Sequence, residues 1–201
     1  LSVLRPGMTE RAAAWEIEKY VHEHGGEAVA FEIIVASGPH AAMPHARPTE
    51  KAIAPGEAIV IDMGARVEGY HSDLTRTVCL GKAPDELERI YQIVLTAQEA
   101  AIADIQAGMT GATADAVARQ IIDDAGFGEA FGHSLGHGLG LAVHEMPWLR
   151  RMSAQVLLDR MVFTIEPGIY LPGLGGVRIE DTVTLSGGQV QVLSIAHKSR
   201  Q

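Results

Sequence analysis

The chain is short of cysteine, of basic runs and of long apolar stretches, and each shortage narrows what it can be. One cysteine, Cys79, stands among 201 residues, so no internal disulfide can form. That fits a reducing compartment, and the cytoplasm is the expected location. Cys79 lies in the strand-like run TRTVCLG and is expected to be a small buried hydrophobe. Lys and Arg number 16 against 25 Asp and Glu, a formal charge of −9. No basic run stands out, which argues against nucleic acid and anionic membranes as partners. No apolar stretch reaches the ~18 residues of a membrane span, and no secretory signal pattern is visible. The chain starts with Leu and almost at once meets a helix-start signal, so a longer parent is expected.

Hydrophobic residues make up 47%, enough for a sizeable core in one domain. The acidic excess then has two readings: solubility, or carboxylates gathered around a cation.

The sequence repeats itself. PGMTERAAAWEIEKYVHEHGG begins at Pro6 and AGMTGATADAVARQIIDDAGFG at Ala107. Each holds Gly-Met-Thr and then a helical pattern ending at Gly. Thr9 and Thr110 are candidate N-caps, and Gly25 and Gly126 candidate C′ residues. Two β-rich runs, from Ala58 and from Met161, also correspond: each holds an acid, a turn, and a second acid before x-Thr. Between them, Leu87, Ile90, Tyr91, Val94, Ala97, Ala101 and Ile105 recur at helical spacing. The expectation is an α+β chain forming one domain, residues 1–201, of two pseudo-symmetric halves (about 1–82 and 83–201) that share one site.

Each β-rich run reads as a hairpin with two acids. In the first, a turn near Arg66–Gly69 would set Asp62 nearly opposite Asp73. In the second, a loop centred near Gly173 would set Glu166 opposite Glu180. Apolar strands precede Asp62 and Glu166, so the acids are expected to be buried. Buried carboxylates are too costly to leave ionised and unpaired. Arg76 and Arg178 scarcely neutralise four of them, which points to divalent metal, in a pair ~3.5–4 Å apart.

The stretch GHSLGHGLGLAVHEMP holds His133, His137 and His144. His133 and His137 stand four apart, the offset of a helical zinc motif. Gly136, Gly138 and Gly140 would each weaken such a helix by about 1 kcal/mol. An extended backbone is expected instead, with both rings on one face and the glycines allowing close approach. One imidazole among four carboxylates suits Mn²⁺, Co²⁺, Fe²⁺ or Zn²⁺. The remaining histidines of the stretch would bind substrate or move protons. His22, His24, His40, His71 and His197 are read as ordinary satisfied polar residues.

IDMGARVEGYHSDLTRTV, HSLGHGLGLAVHEMP, TIEPGIY and GVRIEDT together resemble the metallopeptidases of the pita-bread fold, peptidase family M24. The resemblance runs over essentially the whole chain. It implies a curved antiparallel sheet flanked by helices, and two divalent ions, Mn most of all. It implies Asp62, Asp73, His137, Glu166 and Glu180 as ligands, with Asp73 and Glu180 bridging and Glu166 relaying the proton of the attacking water. His45 and His144 correspond to histidines that contact substrate near the scissile bond. His133 and Arg178 correspond to residues of the proline-specific branch, Arg178 supporting a ligand carboxylate.

The implied function is hydrolysis of the N-terminal Xaa-Pro bond of dipeptides or peptides. A homodimer is common in the family. The family's separate N-terminal domain is expected to be absent from this chain. Three rivals share the fold: a methionine aminopeptidase, disfavoured by Arg178 in GGVRIEDT; a metal-free creatinase-like amidinohydrolase; and a non-catalytic peptide- or protein-binding module. The two metal-free rivals should have lost the carboxylate set, which is whole here.

Overall fold

Thr9 and Thr110 start two helices in the same way. A computed structural model of the chain describes residues 3–198. Its helices are α1 (Glu10–Glu23), α2 (Asp85–Asp104) and α3 (Gly111–Asp124). The Thr9 hydroxyl accepts from the Ala12 amide, and the Thr110 hydroxyl from the Thr113 amide, each at 3.1 Å. Both satisfy a first-turn donor that the helix leaves unpaired. Gly25 and Gly126 follow the two helices with φ of +93° and +86°, a conformation that costs glycine little. Thr9 also bridges Ala52, and Thr110 bridges Val156. The two halves are thus pseudo-symmetric down to how each helix is pinned.

Among the described residues, thirteen strands follow from the apolar and alternating runs. They are β1 (Ala28–Val29), β2 (Ile34–Ser37), β3 (Ala58–Met63), β4 (Ala65–Val67), β5 (Tyr70–His71) and β6 (Leu74–Cys79) in the first half. The second half has β7 (Gly136–Gly138), β8 (Glu145–Leu149), β9 (Val162–Ile165), β10 (Gly168–Leu171), β11 (Gly175–Arg178), β12 (Asp181–Ser186) and β13 (Gln189–Val192). Every ladder is antiparallel. The sheets run β1-β4-β5, β2-β3-β6, β13-β12-β9-β7-β8 and β10-β11.

Strand β3 is buried on both faces. Ile59 and Ile61 pack with Ala13 of α1, Ile33, Val35 and Val78. Ala58 and Val60 belong to the larger core, with Leu87, Ile90 and Val94 of α2 and Ala114, Ala118 and Ile122 of α3. Side chains alternate along a strand, so Asp62 falls on the Val60 face, toward the second half. There the halves are stitched together: the Thr77 hydroxyl lies 2.9 Å from the Arg178 carbonyl, and the Glu180 amide donates to the Thr75 carbonyl at 3.1 Å. Cys79, expected to be buried, closes β6 half-buried. Among the described residues no helix is long and apolar enough to cross a membrane.

Candidate metal centre

The two hairpins differ in register. Glu68 and Gly69 have φ of 50° and 80°, a two-residue turn whose twist suits a hairpin. Val67 therefore pairs with Tyr70, and Asp62 with Thr75. Asp73 lies diagonally from Asp62 rather than opposite it as expected, although on the same face. In the second hairpin Ile165 pairs with Asp181 and Gly168 with Arg178, one continuous register that sets Glu166 opposite Glu180.

Asp62, Asp73 and Glu180 each leave one oxygen bare. Asp62 accepts from Arg178 at 2.7 Å through Oδ2, while Oδ1 has no partner. Glu180 accepts from the Thr75 hydroxyl at 2.6 Å through Oε2, while Oε1 has none. Asp73 Oδ1 is likewise buried and unpartnered. Unsatisfied buried polar atoms are uncommon and costly, and carboxylate oxygens converging this way fit hard or borderline cations. Ligand atoms of Asp73, His137 and Glu180 all lie within 4.8 Å of one another.

His137 completes the set from β7. No helix forms there. The glycines let β7 fit between its neighbours: a Cβ on Gly136 would stand 1.9 Å from the Thr164 carbonyl oxygen, and one on Gly138 2.2 Å from that of Met146. The close approach that the glycines permit is therefore to flanking backbone. His137 Nδ1 is 3.1 Å from the Gly138 carbonyl, to which it donates, so Nε2 is the nitrogen that turns to the acids. That nitrogen faces Glu166 at 3.3 Å and Asp73 at 3.7 Å. His133 stands ahead of β7 in a loop rather than on the same strand.

The electrostatics describe a cluster short of positive charge. Burial, then the charges of Asp62 and Glu166, push Asp73 up to about 9. Burial also raises Asp62, against the Arg178 charge, and raises Glu180, with Asp73 adding to it. Glu166 goes the other way. Burial opposes its ionisation, but the His137 hydrogen bond and the nearby His133, His137 and Arg178 bring it down to about 2.

Among the described residues, Arg178 is the one arginine that serves the cluster. Its guanidinium also donates to the Pro44 carbonyl at 3.1 Å, the Tyr170 hydroxyl at 2.9 Å and the Thr75 hydroxyl at 3.1 Å. Arg76, counted with it from the sequence, turns away. It pairs with Asp181 at 2.7 Å and donates to backbone carbonyls, including that of Glu180. Asp181 is held further by Gln98 and Lys198. Adjacent residues thus point to opposite sides, Glu180 just ahead of β12 to the cluster and Asp181, its first residue, to Arg76 and Lys198.

All nine candidate residues line one cavity of about 670 Å³: Asp62, Asp73, His137, Glu166, Glu180, His45, His133, His144 and Arg178. His144 stacks edge-on to His137, with ring centroids 4.3 Å apart. Burial, then His137, lowers the pKa of His144.

Three features went unseen in the sequence. Tyr170 bridges His133 Nε2 and Arg178, each at 2.9 Å, and burial pushes its hydroxyl up to about 12. Alternation along β10 puts it on the Glu166 side, and that parity was the available signal. Trp148 pairs with His137 across β7–β8 and lines the cavity. Asp115 and Arg119, buried on α3, form a fork at 2.6 and 2.8 Å. Arg119 donates to the carbonyls of Phe131 and His133, and Asp115 accepts from the Leu135 amide, so the pair holds the loop that presents His133. A charged pair inside the apolar stripe of Ala114, Ala118 and Ile122 was the signal there.

The five histidines read as ordinary stay outside the cavity. His40 faces Glu10 at 3.2 Å, His24 faces the Tyr20 carbonyl at 2.9 Å, and His71 faces the Gly140 carbonyl at 3.2 Å.

Known proteins are similar to this chain in sequence and fold. The Xaa-Pro dipeptidase of Pyrococcus furiosus is 46% identical over 180 residues, which are 90% of this chain and 52% of that protein. The prolidase structure from Pyrococcus horikoshii superposes with a TM-score of 0.98 at 42% identity, covering 100% of this chain and 58% of that one. An X-Pro aminopeptidase structure from Thermotoga maritima gives 0.95 at 45% identity, covering 98% and 56%. The chain thus spans about half the length of the curated relatives it matches. The fold is the pita-bread fold of those neighbours. With residues 1–186 matching the description Metallopeptidase family M24, the chain belongs to that family.

Proposed function

We propose that residues 1–201 form one catalytic domain, of halves about 1–82 and 83–201, that hydrolyses the N-terminal Xaa-Pro bond of dipeptides or peptides. The observation that carries this reading is the trio of bare, buried oxygens on Asp62, Asp73 and Glu180. Beside them stand His137 and an ionised Glu166. Asp62, Asp73, His137, Glu166 and Glu180 would hold divalent metal, a pair of ions on our reading. Bound there, such ions supply Lewis acidity, polarising a carbonyl and acidifying a water.

The chain's own residues do the rest. Glu166, kept ionised, accepts the proton of the attacking water and delivers it to the leaving proline nitrogen. Arg178 holds Asp62 through one oxygen, so only the other faces the ions. His144, neutral because burial and His137 lower its pKa, donates toward the oxygen that gains charge at the scissile carbonyl. His45 contacts substrate near the same bond, and His133, fixed by Tyr170, lines the proline pocket. The substrate's free amino group is drawn to the acidic end, which favours cleavage after the first residue.

The test is product release by the Mn²⁺-loaded protein from an Xaa-Pro dipeptide and from a longer peptide with the same first two residues. Release of the first residue from either supports the reading, and the ratio separates dipeptidase from aminopeptidase. Silence on both, with metal bound, counts against it.

A further inference from the structure

His71 lies two residues before Asp73, outside the cavity. Its backbone N–H donates to the Gly140 carbonyl at 2.8 Å, and its ring Nδ1 sits 3.2 Å from the same oxygen. A carbonyl has two lone pairs and can accept both. The ring must then carry its proton on Nδ1.

Gly140 opens an irregular run that ends at His144. Within the run the Gly140 amide donates to the Ala142 carbonyl at 3.0 Å, and the Ala142 amide to Glu145 at 3.1 Å. From beyond the run and its Glu145, the hydrogen bonds described to residues 140–144 come from His71. Apolar burial does little to fix this segment: Leu141 is 67% exposed, and Ala142 and His144 are exposed too. A run with so little buried surface keeps its place through its hydrogen bonds.

We propose that His71 is a positioning residue: by clasping the Gly140 carbonyl it fixes segment 140–144 and sets His144 edge-on to His137 above the acid cluster. The clasp crosses between the halves, from β5 to the loop before β8. Its kinetic consequence rests on the functional reading above, in which His144 serves the scissile carbonyl.

Two variants of the full chain test it. His71→Phe keeps a ring without a donor. His71→Asn offers an N–H near the place of Nδ1. Amide hydrogen exchange over residues 139–145 is measured first. Loss of one neutral hydrogen bond should speed exchange there roughly three- to tenfold in the Phe variant, with the Asn variant close to wild type. Unchanged exchange in the Phe variant overturns the clasp.

Kinetics of the Mn²⁺-loaded protein follow. The Phe variant should lose kcat by a similar factor at constant KM, the Asn variant should recover it, and adding His71→Phe to His144→Ala should change neither constant. A loosened segment with wild-type kcat overturns the positioning role. A wild-type protein inert toward every Xaa-Pro substrate sinks the functional reading instead, and the exchange data still decide the clasp.

Discussion

Arg178 Nη2 stands 2.7 Å from Asp62 Oδ2, a buried ion pair that spends one carboxylate oxygen and leaves its twin bare. The planar guanidinium reaches Asp62, Tyr170, Pro44 and Thr75 at once, which an ammonium cannot do. Arg178→Lys should therefore weaken Mn²⁺ binding about 10- to 100-fold, the usual effect of losing a group that orients a ligand. Calorimetric titration of metal-stripped protein reads this directly. Wild-type affinity in the Lys variant would mean that Asp62 orients itself.

Asp73→Asn should have opposite effects with and without metal. In stripped protein burial and the charges of Asp62 and Glu166 push Asp73 up to about 9, so at pH 7 it must take up a proton to fold; an amide needs none, and the substitution should raise the melting temperature by about 3 °C or more. The same change removes a proposed metal ligand, so the rise expected of Mn²⁺ in the wild type should vanish. At a metal concentration about a hundred times Kd that rise corresponds to about 2.7 kcal/mol. Thermal melts of both proteins, stripped and loaded, decide the matter.

Glu10 predicts an acid-sensitive fold. Its buried carboxylate accepts from Ser37 and Thr49, through both their amides and hydroxyls, and faces His40. Burial works against its charge, but these bonds, Thr49 foremost, hold its pKa below the ordinary 4.5. A depressed carboxylate stabilises fully above 4.5, and that contribution disappears as pH falls below it. Urea unfolding should lose stability between pH 5 and 3. Glu10→Gln should cost about 3 kcal/mol at pH 7 and show a flatter acid limb. Equal slopes in the two proteins would assign the acid loss elsewhere.

The Asp115–Arg119 fork makes a third kind of prediction. Asp115→Ala leaves a buried guanidinium without its counter-ion, which costs about 3–5 kcal/mol. It also frees the Leu135 amide next to the strand that carries His137. Chemical denaturation should show the loss. A variant of wild-type stability would mean that the pair contributes only geometry.

What could be read from the sequence was periodicity and repetition. The Thr caps and the α2 stripe follow from residue type and spacing alone, and the structure has both. Register was harder. Placing the first turn one residue early moved the partner of Asp62 by two, from Thr75 to Asp73. The second loop, centred correctly, gave the true Glu166–Glu180 pairing. Arg76 was misassigned because strand parity shows which face a side chain takes but not which strand of the other half lies against it. Tyr170 and the Asp115–Arg119 pair escaped because each joins segments far apart in sequence within the second half: Tyr170 meets His133 and Arg178, and the pair holds residues 131–135.

Glu180 and Asp181 are neighbours with opposite duties. Loss of the codon for Ile179, with the strand re-pairing to absorb it, would shift both by one place. Asp181 would then face the cluster with a reach one methylene shorter, and Arg76 would meet the hydroxyl of Thr182 in place of a carboxylate. The overall composition would hardly register the change. A catalogue of residue types would score such a protein as intact, yet its acids would be out of phase with their tasks.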